Sequence, residues 1–248
     1  MLNLFLTDYT DYTDFSFKLL SLWLMCNLLN YQLRLHAICE IVASMSNLEG
    51  KKILFVVLVL LAGMAYRDWS LRDIEYPPGV LVAELPRQVD VQGLAPVTMD
   101  DYELTPRADF KIRARVLSRE NYSWGSEADL SPIDLALGWG VMSDQAVIDR
   151  IEISQSSRWY YTRYQLPAPI SDREIIQNSG NMHMIPARDW VRKKLKGVRV
   201  GDIVRLQGKL VDIDHPSGWH WRTSLRRDDT GGGSCEIVYL EDIQIEPR

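Results

Sequence analysis

The 248 residues carry 28 Lys and Arg against 33 Asp and Glu, a formal net charge of −5 at pH 7. That balance excludes a domain that attracts nucleic acid by bulk charge, which requires a strongly basic surface. From Tyr66 to Arg248 there are 24 Lys and Arg against 28 Asp and Glu, a net charge of −4, with no polyanionic tail and enough Trp, Ile, Val and Leu to bury one core.

The first 44 residues do not read like the rest. Residues 7–14 (TDYTDYTD) stutter as a tandem repeat with no packing logic, and an apolar patch over 17–29 is interrupted by Lys18 and Asn27. Met45 then opens MSNLEGKK, so residues 1–44 are expected to be a non-native N-terminal extension; the alternative is a second membrane segment at 19–29. Lys51 and Lys52 precede the apolar run 53–65 (ILFVVLVLLAGMA), a basic n-region followed by an h-region. Residues 45–69 therefore read as a signal anchor, or as a signal peptide cleaved after Ala65. Thirteen residues fall short of the ~20 that span ~30 Å of hydrocarbon, so an anchor needs Leu48 and Tyr66 to Trp69 at the interfaces. The lysines before the run place the N-terminus in the cytoplasm and the body outside, in a bacterial inner membrane crossed once, with the C-terminal domain periplasmic.

Residues 70–108 contain Pro77, Pro78, Pro86 and Pro96, which fix φ and remove donors, so this stretch reads as an extended tether. Residues 109–248 read as one α+β domain. Phe110, Ile112, Ala114 and Val116 alternate with Lys111, Arg113 and Arg115 as in a half-buried strand. Residues 129–150 read as two short helices broken at Gly138-Trp139-Gly140, the second capped by Ser143. Residues 158–164 are strand by aromatic content, and Ser171-Asp172-Arg173-Glu174 has capping-box spacing. Residues 188–196 form an amphipathic helix with Trp190, Val191 and Leu195 inward and Gly197 as the stop. Gly201-Asp202 turns into a strand of alternating Val204, Leu206, Gly208 and Leu210, where Gly208 marks a bend or bulge. Further strands follow at 219–225 and 236–245, separated by the glycine-rich 228–233.

The segment 201–213 (GDIVRLQGKLVDI), followed by two more strands, resembles the first hairpin region of OB-like small barrels. The stretch from Glu75 onward also resembles an uncharacterised bacterial family of anchored or exported proteins, through Asn-x-His-x-Ile-Pro at Asn181 to Pro186 and Gly-x-Cys-Glu at Gly233 to Glu236. The resemblance implies a mostly antiparallel, partly closed OB-like barrel with short helices, behind an N-terminal membrane helix. It implies no activity.

Cys235 is the one cysteine beyond the anchor, so an internal disulfide cannot form there. It follows three glycines and a serine, with His220 upstream, and this resembles the L,D-transpeptidases, whose catalytic histidine precedes a Ser-His-Gly-Cys motif. Here the second histidine and the adjacent glycine are missing, and Glu236 adjoins the thiol, where its carboxylate opposes ionisation. His183 is expected to be a bonded core group, or else a partner of Cys235 with Asn181 or Asp228 as orienter. His215 and His220 flank a turn. No paired His or Cys spacing indicates a metal site, and no cofactor is implied. Arg188, Arg192, Lys193, Lys194, Lys196 and Arg199 line one helix and its exit, with Arg226 as an addition. They read as a solvated face, or as contacts to anionic lipid headgroups or to an acidic envelope protein. The expected function is a membrane-anchored binding or scaffolding module. The alternative is an envelope hydrolase or transpeptidase using Cys235 with His183 or His220.

Overall fold

The computed structural model describes residues 48–70, 72–226, 229, 231 and 234–247. The chain divides between Ser70 and Leu71 into two units. The described part of the first is helix α1 (Leu48–Ser70). The readings made for 1–44 lie outside the described residues. Along α1 the side chains of Phe55, Val56, Val59, Leu60 and Met64 are exposed. Among the described residues no helix is long and apolar enough to cross a membrane, which is a statement about helices alone.

The second unit is mostly strand with a few short helices. The strands are β1 (Arg87–Asp90), β2 (Val97–Met99), β3 (Tyr102–Asn121), β4 (Ile133–Gly138), β5 (Ile151–Ser156), β6 (Trp159–Tyr164), β7 (Ser179–Pro186), β8 (Ile203–Asp214), β9 (His220–Trp221) and β10 (Glu236–Ile245). The helices are α2 (Ser126–Leu130), α3 (Gln145–Ile148), α4 (Asp172–Asn178) and α5 (Asp189–Lys196).

A partly ring-like sheet organises the unit. β3 pairs with β8 from Glu103 to Arg115 and with β4 from Arg115 to Asn121, β4 pairs with β7, β7 with β10, and β10 with β8. Every pair in this circuit is antiparallel except β7 with β10. β3 serves two neighbours because its register shifts between Pro106 and Ala108 and again between Val116 and Ser118, where an extra residue bends a strand. The inward face collects Phe110, Ile112, Val116, Leu135, Leu137, Met182, Met184, Val204, Leu206, Leu210, Val238 and Leu240 in one buried cluster. The alternation expected along β3 and β8 is thus the alternation observed.

Gly208 is required by an approach of backbones. A Cβ there would sit 2.0 Å from the Tyr239 carbonyl oxygen, and the bulge itself lies opposite, in β10 between Leu240 and Asp242. Residues 70–108 contribute β1 and β2, both paired antiparallel with β3.

Four local expectations need correction. Part of 129–150 is strand: β4 is buried along its whole length because β3 and β7 flank it and both faces are covered, and such a strand shows an apolar run in place of alternation. The second helix of that stretch is capped by Asp144, whose carboxylate accepts the Ala146 N–H, while the Ser143 hydroxyl accepts the N–H groups of Leu81 and Val82 in the segment before β1. The strand expected over 219–225 is reduced to β9, because side chains replace the ladder beyond it: Arg222 donates to the Ile213 carbonyl, the Asp212 carboxylate accepts the Thr223 N–H, and the Thr223 hydroxyl accepts the Ile237 N–H. On α5, Val191 and Leu195 are buried as expected, but Trp190 is 45% exposed.

Candidate functional site

The outer face of β4, β7 and β10 carries polar side chains where the ring's exterior would ordinarily meet water, yet it is covered. Asp134 and His183 are register partners across β4 and β7, and Ile237 of β10 is level with His183. Strand alternation puts Asn181, His183 and Ile185 on this face while Met182 and Met184 point into the ring, as the sequence pattern implies.

His183 and Asp134 are almost wholly removed from water, at 2% and 0% side-chain exposure, with Nδ1 2.9 Å from Oδ2. The two atoms are close but the ring N–H is not aligned on the oxygen, so the contact is electrostatic in geometry rather than a well-formed hydrogen bond. The other Asp134 oxygen accepts a 2.6 Å hydrogen bond from Arg158. The Arg158 guanidinium lies 3.8 Å from the centre of the Tyr122 ring and 5.6 Å from that of Trp221, and the Trp221 ring is 4.6 Å from His183.

Arg158 reaches this position through an unusual turn. Ser157 and Arg158 join β5 to β6, and both have positive φ (51° and 69°), where a hairpin of this length ordinarily uses Asn-Gly. The neighbours hold the turn in place: the Tyr122 hydroxyl accepts the Arg158 N–H, Asn181 donates to the Arg158 carbonyl, and Gln155 donates to Asn181. A disfavoured backbone held by this many partners marks a site rather than a casual loop.

Beside this network a recess of about 210 Å³ opens between the β5–β6 hairpin, α4 and the segment leading into β10. Its lining includes Trp159 and Tyr160 of β6, Asn181 of β7, Glu236 of β10, and Arg226 and Asp229. Cys235 also lines it. Its thiol is half-buried, and burial pushes its pKa up to about 11, with the negative charges of Asp134 and Asp229 adding to the shift. The sequence led to a thiol whose ionisation is opposed by the adjacent Glu236; the shift is upward, and its causes are burial and the charges of Asp134 and Asp229.

Among the described residues no hydrogen bond or ring contact joins Cys235 to His183 or His220. His220 is exposed, with Nδ1 3.4 Å from the Gly218 carbonyl, and His215 holds the same turn through Ser217. Asn181 is engaged by Gln155 and Arg158, and Asp228 lies outside the described residues. No group of three His, Cys, Asp or Glu among the described residues could hold a metal ion. Arg192, Lys193 and Lys196 stand on α5, while Arg226 lines the recess.

The sequence reading missed Asp134, Arg158 and Tyr122. The signal for Asp134 was one charge inside Ile133-Asp134-Leu135-Ala136-Leu137, which a helix would have turned to water and a doubly covered strand must pair. Comparison of the chain with protein-family models, with curated proteins and with solved structures finds no match.

Proposed function

We propose that the second unit is an OB-like module that binds a ligand on the periplasmic side, tethered to the bacterial inner membrane by the apolar run of α1, and that it makes no covalent bond to that ligand. The observation that carries this reading is the state of Cys235. A nucleophilic cysteine needs a depressed pKa and a base in hydrogen-bond reach, whereas this thiol is pushed up to about 11 and His183 is turned toward Asp134. A recess lined by aromatic and polar side chains supports binding instead. The OB-like description is supported by a circuit of five strands with one parallel pair and by α5 between β7 and β8. The tether is supported by Lys51, Lys52 and the exposed apolar side chains of α1.

The test is labelling of the full chain with iodoacetamide at neutral pH, read by mass spectrometry. Slow labelling of Cys235, unchanged by His183→Ala, is the expected result. Rapid labelling that slows in His183→Ala would replace the binding module by a cysteine enzyme. One observation favours that second reading: Cys235 immediately precedes β10, which pairs with the strand that carries His183, and the His183 ring is 2.9 Å from a carboxylate oxygen of Asp134.

A further inference from the structure

The most basic element of the second unit is α5. Residues 188–199 hold Arg188, Arg192, Lys193, Lys194, Lys196 and Arg199 against the single acid Asp189. Val191 and Leu195 are buried and fix the helix rotation, which leaves Arg188, Lys193, Lys194 and Lys196 exposed with Trp190 beside them. An indole next to several lysines is the composition that favours a bilayer interface.

The start of the second unit is fastened beside this helix. The Ile74 N–H donates to the Val200 carbonyl at 3.0 Å, and Arg199 donates to the Arg72 carbonyl. Gly201 makes room for the fastening, since a Cβ at its φ of +89° would lie 2.1 Å from the Ile74 oxygen. The exposed lysines of α5 are complementary in charge to anionic headgroups, an attraction that acts over a Debye length of about 8 Å at physiological salt.

We propose that the exposed face of α5 docks on an anionic bilayer surface, with Lys193, Lys194 and Lys196 over the headgroups and Trp190 at the interface. This rests on the anchoring proposed above. It also sets the direction of the recess, whose strand-side residues are at the starts of β7 and β10, whereas α5 follows the end of β7. The first three residues of β7 line the recess and the remaining five, about 17 Å of strand, separate it from α5, so a docked α5 turns the recess away from the membrane.

The test uses the full chain with Cys26, Cys39 and Cys235 changed to Ser, reconstituted into phosphatidylcholine vesicles with or without phosphatidylglycerol. Lys194→Cys carries a nitrobenzoxadiazole label, and Tyr161→Cys on the β5–β6 hairpin carries the same label as a reference. The expected result is a blue-shifted emission at 194 with anionic vesicles only, reversed by high salt, lost in Lys193→Gln/Lys196→Gln, and absent at 161. Emission at 194 that ignores lipid charge, or an equal shift at 161, overturns the docking. So does a shift that requires native membranes with their proteins, which assigns the face to an acidic protein. Flotation with both vesicle types in high salt reads the anchor separately: a chain that fails to float refutes the anchor, and one that floats without the shift refutes only the docking.

Discussion

Asp134 is a carboxylate with no exposure in a strand of apolar neighbours, and it is tolerable there because Arg158 and His183 surround it. Removing one partner of such a group leaves the others buried and uncompensated, which costs more than the pair itself contributes. Asp134→Ala is therefore expected to lower stability by about 3 kcal/mol in denaturant unfolding, with Arg158→Ala close behind. A loss below about 0.5 kcal/mol, the usual level for surface positions, would show that the network is not structural. Cys235 gives a prediction with a sign. Its folded pKa stands above the ordinary thiol value, so the native state keeps the proton longer than the unfolded chain, and the stability contributed by that proton is lost as pH rises from about 9 to about 11. Labelling of the native protein by iodoacetamide should rise over that same range and stay low at pH 7 to 8. Cys235→Ser should remove its share of the stability loss. Tyr160, pushed up to about 12 by burial, acts in the same direction from about pH 10 to about 12, so it adds to the upper part of that loss.

Among the elements, α4 was legible residue by residue. Ser171 and Glu174 form both halves of the capping box, with the serine hydroxyl accepting the Glu174 N–H and the glutamate accepting the Ser171 N–H. Ser171→Ala should cost about 1 kcal/mol, measured by thermal unfolding. β4 was not legible, because Leu135, Ala136 and Leu137 suit a helix by propensity and an apolar run carries no period. Only its two neighbours decide it. Trp190 was read as inward because it is apolar, yet Val191 and Leu195 already fill the space under α5. Gly208 was recognised as special without its partner being visible. Gly208→Ala drives a Cβ into the Tyr239 carbonyl, and expression of folded protein should drop sharply, whereas Gly218→Ala, in open space though at positive φ, should cost only about 1 kcal/mol.

For the whole molecule, the circuit of strands depends on β3 being long enough to pair with β8 and β4 in succession. Phe110 is fully buried where β3 faces β8, so Phe110→Ala should cost about 3 to 5 kcal/mol by chemical denaturation. Retention of near-native stability would mean that the core is centred elsewhere. On the proposed topology, an alkaline phosphatase fusion after Arg72 should be active outside the cytoplasm and remain in the membrane fraction. Recovery of the domain as soluble cytoplasmic protein would refute the tether.

What the sequence determined by itself was local. Alternation along β3 and β8 follows from side chains pointing to opposite faces at every step, the α4 cap from two side chains three residues apart, and the short burial stripe of α5 from helical spacing. Tertiary structure alone decided what depends on which strands become neighbours. Asp134 and His183 are 49 positions apart, and Arg158 enters from a hairpin between them, so no spacing rule could join the three. The same holds for the thiol, whose pKa is set first by burial among distant segments and only then by charges from β4 and the loop before β10. Periodicity reports which face a residue takes, and long-range pairing reports what it meets there.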